Sequence, residues 1–185
     1  MVYTQTISED SDILAAVKKT GIPLLSRSEL LGQLSRDFGR SIAVCGTHGK
    51  TTVTSMLAMI LIDAGTDTTI HIGGVLPSMG GSVRLGKGDI FLTEACEYKR
   101  SFLSLNVSDI ILLNIDEDHL DYYKDIEDIE SAFSEFLSRL PKDGWALGNG
   151  EDDRARNLLE RMDCRTATFG ASESYDYHMK NTMED

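Results

Sequence analysis

Short apolar runs alternate with amphipathic stretches along this chain. Several runs are apolar at nearly every position, which is typical of strands that are buried on both faces of a parallel sheet. The runs lie at residues 2–7, 41–45, 68–72, 89–93, 109–115, 145–147 and 166–169. Their alternation with helical patterns predicts an α/β fold, with a mostly parallel sheet and helices on both of its faces.

Helical spacing of apolar positions is found at 12–20, 29–38 and 126–140. The third pattern is the clearest, because Asp125 can cap its start and Pro141 follows its end. Ser11 and Ser28 are candidate N-caps of the first two helices. The side chains predicted to face the core in those two helices are Ile13, Leu14, Val17, Leu30, Leu31, Leu34 and Phe38.

Two segments lack a regular pattern. Residues 73–88 are rich in glycine and predict a loop or hairpin that lies over another part of the molecule. The tail at 172–185 is polar and acidic, and we expect part of it to be disordered.

The composition fits one soluble domain, or one domain with part of another, since the chain has 185 residues of which 41% are hydrophobic and 26% charged. No apolar run approaches the roughly 20 residues that span a bilayer, and the start of the chain lacks a signal-peptide pattern. We therefore expect a cytoplasmic protein without membrane insertion. The net charge of -12 disfavours nucleic-acid binding, so a bound phosphate has to be held by local groups.

Three cysteines, Cys45, Cys96 and Cys164, are widely separated in the sequence. This spacing argues against a disulfide framework and against a metal site. We expect all three to be buried thiols.

The segment from Gly46 to Thr52 carries the strongest chemical signal. It follows a predicted strand, precedes an apolar helical pattern, and reads Gly46-Thr47-His48-Gly49-Lys50-Thr51-Thr52. Strand, glycine turn and helix start are the context of a phosphate-binding loop, in which backbone N–H groups surround phosphate oxygens. Lys50 would neutralise the phosphates of ATP and Thr51 would bind Mg²⁺. A plain glycine-rich turn is the alternative, because the strict pattern requires glycine where Val44 stands.

Two later strand ends carry further candidates. Glu94 closes one apolar run, and Asn114 and His119 follow another. Ligands of open α/β sheets bind beyond the carboxyl ends of the strands, so these side chains are expected near Lys50. Alternatively, Glu94 is a solvated rim residue and His119 is part of a charged turn. Glu97, Asp118 and Asp121 remain open between a site role and turn capping.

These elements resemble the Mur ligase family. The loop matches the family's Gly-Thr-x-Gly-Lys-Thr-Thr element, which does not require a glycine at the position of Val44. The segment Glu94-Ala95-Cys96-Glu97 is similar to the family's Glu-Ala-Asp-Glu element. The segment from Asn114 to Asp121 is similar to its Asn-Ile-x-x-Asp-His-x-Asp element. Within the family, His48 resembles the branch that joins L-alanine to UDP-N-acetylmuramate. The resemblance implies the P-loop NTPase-like central domain of these ligases.

The resemblance also implies a reaction. ATP phosphorylates the carboxylate of UDP-N-acetylmuramate, and the amine of L-alanine attacks the acyl phosphate. Lys50, Glu94 and His119 are then the catalytic residues, Asn114 joins the loop in contacting the nucleotide, and Thr51, Glu94 and His119 bind Mg²⁺.

The domain division follows from the same resemblance. We expect residues 1–39 to be the end of the UDP-sugar-binding N-terminal domain and residues 40–185 to be an incomplete central ATP-binding domain. The C-terminal domain is expected to be absent, so the isolated chain should be inactive.

Departures from the family pattern leave the substrates open. Cys96 replaces an aspartate, and Tyr98-Lys99-Arg100 replaces a small acidic stretch. The alternatives are a murein-tripeptide recycling ligase, a folylpolyglutamate-type synthase, a P-loop kinase or GTPase, and a non-catalytic nucleotide-binding module.

Overall fold

The computed structural model describes residues 1–4, 7–8 and 10–180. Ten strands are found in this part of the chain: β1 (Val2–Tyr3), β2 (Leu25–Ser26), β3 (Arg40–Cys45), β4 (Thr69–Leu76), β5 (Gly81–Arg84), β6 (Ile90–Glu94), β7 (Asp109–Leu112), β8 (Trp145–Asn149), β9 (Arg165–Gly170) and β10 (Tyr177–His178). The α-helices are α1 (Asp12–Lys19), α2 (Arg27–Leu34), α3 (Lys50–Asp63), α4 (Ile126–Leu137) and α5 (Asp153–Leu159). Short 3₁₀ segments occupy Ser35–Asp37, Pro77–Met79 and Tyr98–Ser104.

Eight strands form one sheet in the order β10-β9-β8-β7-β3-β6-β4-β5. All neighbours are parallel except β4 and β5, which are antiparallel, while β1 and β2 form a separate parallel pair. Strand β3 lies between β6 and β7. The strands that follow β3 in the chain, β4 to β6, lie on one side of it, and the later strands, β7 to β10, lie on the other. Such a reversal opens a crevice at the carboxyl end of the strand, where ligands bind in open α/β sheets.

Each face of the sheet has its own apolar core, as the alternation along β3 requires. Ala43 and Cys45 point into the core beneath α4 and α5, whereas Val44 points into the core beneath α3. The largest side chains of the first core are Tyr123, which precedes α4, Phe133 and Phe136 of α4, and Phe102 of the 3₁₀ segment that follows β6. The predicted α/β fold with helices on both faces is therefore confirmed.

Several local predictions need correction. Ser26, not Ser28, caps α2, because its hydroxyl accepts from the Glu29 N–H and the Glu29 carboxylate accepts from the Ser26 N–H. Ile13 and Leu34 are exposed rather than inward, since α1 and α2 are short surface helices with one buried residue each. Helix α5 is not predicted by the sequence pattern, because its seven residues are too few for a clear period.

The glycine-rich segment forms the predicted hairpin, with β4 and β5 as its strands. Part of the acidic tail is ordered, since β10 pairs with β9; the tail's last five residues lie outside the described part of the chain. The strand predicted at 2–7 extends only over Val2–Tyr3, and residues 5 and 6 lie outside the description.

The three cysteines differ in burial, so the prediction of buried thiols is correct for Cys45 only. Cys96 is exposed and Cys164 is partly buried, because both lie in connections between regular elements rather than within the sheet. Among the described residues, no helix has the length and apolarity needed to cross a bilayer.

The two N-cap serines allow a matched test. Ser26 makes the reciprocal capping bonds, whereas the Ser11 side chain forms no cap hydrogen bond within the described part of the chain. We expect Ser26→Ala to lower the free energy of unfolding by about 1 kcal/mol, because an N-terminal N–H of α2 loses its acceptor. Ser11→Ala is the control and should change it much less. Equal effects in urea denaturation would contradict the assignment of the cap.

Candidate functional site

The loop between β3 and α3 forms a concave seat of backbone N–H groups. Gly46 and Gly49 adopt φ angles of 142° and 83°, which side-chain-bearing residues rarely reach, and a Cβ on Gly46 would lie 3.0 Å from the Leu113 Cβ. Among the described residues no side chain caps α3. The first N–H groups of this 14-residue helix therefore remain available, at its positive end, for an anion.

The segment after β7 holds this loop in place. The Asn114 amide accepts from the His48 N–H at 2.8 Å and donates to the His48 carbonyl at 3.1 Å. The Thr47 hydroxyl exchanges hydrogen bonds with the backbone of Asp116. Asn114 thus binds the loop itself, and its side chain fixes the loop rather than pointing freely toward a ligand.

Lys50, the first residue of α3, is held by its surroundings. Its ammonium donates to the carbonyls of Gly46 at 2.7 Å and Thr47 at 2.9 Å, and lies 2.9 Å from the nearer carboxylate oxygen of Glu97. The Glu97 side chain is 2% exposed. A carboxylate buried this deeply is costly without a cation, so Lys50 and Glu97 depend on each other.

Glu94 lies beside Thr51, at the carboxyl end of β6. The Thr51 hydroxyl donates to one oxygen of Glu94 at 3.0 Å, and the Gly73 N–H donates to the other at 2.8 Å. The hairpin thus passes directly over the loop, as its composition had suggested. A hydroxyl and a carboxylate this close, next to an anion seat, are the oxygen donors that Mg²⁺ prefers.

His119 joins the cluster through Glu97 rather than through Glu94. Its Nε2 lies 3.7 Å from the Glu97 carboxylate and its Nδ1 lies 3.8 Å from Asp118. The Tyr98 ring packs on the imidazole with centroids 4.7 Å apart, and the Tyr98 hydroxyl donates to Asp121 at 3.0 Å. Ligand atoms of Glu97, Asp118 and His119 lie within 4.8 Å of one another, a second place where a cation fits.

Backbone strain is concentrated next to this cluster. Lys99, Arg100 and His119 have positive φ angles of 51° to 54°, which cost energy for residues with a Cβ. Arg100 compensates by bonding Asp128 at 2.7 Å and Glu135 at 3.2 Å, both on α4. These ion pairs fasten the turn that carries Glu97 and Tyr98 to the helix layer.

The structure brings together Lys50, Thr51, Glu94 and His119, while Thr52 is exposed on the first turn of α3. The roles of Glu97 and Asp118 were open from the sequence alone, and Tyr98 was not predicted as a site residue. Glu97 could not be ranked above Glu94 from the sequence, because only its burial and its contact with Lys50 distinguish it.

Comparison with known proteins gives the family. Residues 44–185 match the model of the Mur ligase middle domain. A UDP-N-acetylmuramate–L-alanine ligase of Agathobacter rectalis is 44% identical over all 185 residues, which make up 40% of that protein. The chain therefore spans about two fifths of the length of such curated relatives.

Solved structures agree with this match. A UDP-N-acetylmuramate:L-alanyl-gamma-D-glutamyl-meso-diaminopimelate ligase from Neisseria meningitides superimposes with a TM-score of 0.83 and 27% identity, over 94% of this chain and 59% of that one. A UDP-N-acetylmuramate-alanine ligase from Thermotoga maritima gives 0.77 and 25%, over 91% and 38%.

Two glycines of the hairpin offer a test of the Thr51 and Glu94 geometry. A Cβ on Gly73 would lie 2.9 Å from a Glu94 oxygen, whereas a Cβ on Gly81 would meet no described atom within 4 Å. We expect Gly73→Ala to displace the carboxylate and to weaken Mg²⁺-dependent ATP binding by roughly fivefold, equivalent to about 1 kcal/mol of crowding. Titration calorimetry measures this, with Gly81→Ala as control; equal affinities for both variants would refute the geometry.

Proposed function

The chain belongs to the Mur ligase family, and from that premise we propose that it forms the ATP-binding part of a cytoplasmic ligase that joins L-alanine to UDP-N-acetylmuramate. One observation carries the proposal: Lys50 and the open N–H groups of α3 form an anion seat, and Thr51 and Glu94 provide oxygen donors at its rim. The identity of 44% to 45% with alanine-adding relatives supports the choice of substrates.

A carboxylate needs activation before an amine can attack it, because its negative charge repels nucleophiles and oxide is a poor leaving group. In the proposed reaction, a carboxylate oxygen of UDP-N-acetylmuramate attacks the γ-phosphorus of ATP, and ADP leaves. The amine of L-alanine then attacks the acyl carbon, loses a proton, and expels phosphate. The products are an amide, ADP and phosphate.

Lys50 would exchange partners during this reaction. In the described structure its ammonium is occupied by Glu97 and two carbonyls of the loop. A γ-phosphate bound at the start of α3 would compete for the same ammonium, which would then neutralise charge on the transferring group. Glu97 would keep the ammonium near that position.

Thr51 and Glu94 would hold Mg²⁺, which when bound supplies positive charge to the phosphate oxygens. His119 is the residue proposed for a second Mg²⁺, together with Glu97 and Asp118, which lie beside it. Asn114 supports the nucleotide indirectly, since its side chain fixes His48. Gly46, Gly49 and Thr52 would contribute backbone groups to the seat. Thr47 would shape the loop instead, since its N–H donates to the Asn114 carbonyl and its carbonyl accepts from Lys50.

We propose the domain division as part of the same function. Residues 1–39 would be the end of the UDP-sugar-binding domain, and residues 40–185 would belong to the central ATP-binding domain. The first residue of the second segment starts β3, which carries the loop.

A second amine substrate is favoured by one observation. The Neisseria meningitides tripeptide ligase superimposes with the higher TM-score of the two solved ligases, 0.83 against 0.77. The same ATP chemistry would then serve an L-alanyl-gamma-D-glutamyl-meso-diaminopimelate tripeptide as amine donor in place of L-alanine.

Phosphate release by a full-length protein carrying this sequence separates these functions. We expect release to require ATP, UDP-N-acetylmuramate and L-alanine together, because the amine is consumed in the same cycle. Release that needs the tripeptide instead of L-alanine would establish the second function. ATP binding without release under either condition would leave only a nucleotide-binding module, against the proposal.

The contribution of Lys50 to ATP binding can be separated from its contribution to stability by a pair of variants. We expect Lys50→Met to weaken ATP binding by about tenfold to a hundredfold, the range for a lost charge-assisted hydrogen bond. It should also destabilise the chain, since Glu97 is left buried without a cation. Adding Glu97→Gln should restore the melting temperature but not ATP affinity.

Calorimetry with ATP and Mg²⁺, together with thermal denaturation, measures both effects. Lys142→Met, at an exposed position, is the matched control. Unchanged ATP affinity in the Lys50 variant would contradict the assignment of the anion seat.

A further inference from the structure

A small cavity lies between α2 and the carboxyl ends of β4 and β6. Its volume is about 170 Å³, and Glu94 and Gly73 of the site described above form part of its wall. Pockets that hold a whole drug-sized ligand are typically about 300–1,000 Å³. This cavity therefore fits one end of a ligand, at the edge of the proposed phosphoryl-transfer site.

The walls combine an apolar floor with polar groups. Leu31, Phe102 and Leu105 provide the apolar side chains, and Ser28 and Ser101 provide hydroxyls. Arg27 and His71 are the basic side chains that line the cavity. Glu94 is the one carboxylate among the described residues that line it, and the positive charge of Arg27 makes the cavity suited to a negative group.

Arg27 is not explained by the stability of the fold. It is the first residue of α2, where a cation opposes the positive end of the helix dipole. None of the ion pairs among the described residues involves Arg27. A planar guanidinium in this position can offer two parallel N–H donors to a carboxylate.

His71 complements Arg27 as a neutral acceptor. The Thr93 hydroxyl donates to the Glu94 carbonyl, so in its 3.1 Å contact with His71 Nδ1 it can only accept. The ring proton therefore lies on Nδ1 and leaves Nε2 as an acceptor. Burial, and secondarily the charge of Arg27, lower the pKa of His71 and keep the ring neutral.

Close packing fixes the distance between the two walls. Gly32 of α2 lies so near the 3₁₀ segment after β6 that a Cβ on it would come 1.8 Å from the Ser104 carbonyl oxygen. The Ser35 hydroxyl also accepts from the Asn106 N–H at 3.1 Å. Arg27 is thus carried by a helix that is held firmly against the segment that follows Glu94.

We propose that Arg27 is the residue that positions the carboxylate of the acceptor for phosphorylation, with the cavity receiving the carboxylate-bearing end of that substrate. The inference rests on the proposed function and deepens it. The acceptor class is an acid whose carboxylate is carried by a short polar arm, because the cavity is small and offers hydroxyls and one neutral imidazole. Arg27 holds the acid beside Glu94, where the metal-bound phosphate would meet it.

The test compares an acceptor with and without its negative charge. In a full-length protein carrying this sequence, we expect Arg27→Ala to reduce kcat/KM for UDP-N-acetylmuramate by about tenfold to a hundredfold, the range for a lost charge-assisted hydrogen bond. The KM for ATP should change less than about twofold, since Arg27 does not line the anion seat. Arg36→Ala, at an exposed arginine just after α2, is the control and should behave as wild type.

A charge-specific readout separates positioning from a general structural effect. The dissociation constants of UDP-N-acetylmuramate and of its carboxamide, measured by titration calorimetry, are compared in each protein. Wild type should prefer the carboxylate, Arg27→Lys should retain part of this preference, and Arg27→Ala should lose it. A preference that is unchanged in Arg27→Ala overturns the inference even if activity falls.

Failure of the proposed function has a different signature. If the wild-type protein forms no product with L-alanine or the tripeptide, the proposed function is wrong. The role of Arg27 is then tested by ligand binding to the 185-residue chain itself. N-acetylmuramate, titrated into the chain, should then shift the amide resonances of His71 and Ser101 in wild type but not in Arg27→Ala. Identical titrations for both proteins overturn the inference.

Discussion

The ion pair between Lys50 and Glu97 is the interaction on which the site depends. It lies at the junction of β3 and α3, with a carboxylate that is almost completely buried and an ammonium that also binds two carbonyls of the loop. Neither charge is tolerable at this depth without the other. The pair therefore fixes the position of the group most suited to meet a phosphate, before any nucleotide binds.

The surrounding structure maintains this arrangement from three directions. The segment after β7 fastens the loop through Asn114, the hairpin bonds Glu94 through Gly73, and α4 anchors the turn carrying Glu97 through Arg100. The three contacts come from separate parts of the chain: the segment after β7, strand β4 and the segment after β6. The strained backbone at Lys99, Arg100 and His119 persists because packing on several sides determines it.

In the proposed reaction, the cavity beside α2 extends this pairing of charges to the carboxylate substrate. The anion seat and the cavity share Glu94 as a common wall, so two negatively charged reactants can approach each other there. Such an approach is unfavourable unless cations lie on each side. Lys50 supplies one of them and Arg27 supplies the other, and a divalent metal ion at Glu94 completes the neutralisation in the proposed reaction.

The sequence by itself determined the α/β fold, the phosphate loop, and the strand ends that carry Glu94 and His119, because these depend on local periodicity and on residue types at short spacing. Only the tertiary structure decided that Glu97 rather than Glu94 contacts Lys50, that Asn114 binds the loop, and that Arg27 and Glu94 line one cavity. Those relations join residues 47 to 67 positions apart, and burial and packing geometry select them. No local pattern encodes which of two neighbouring carboxylates will be buried.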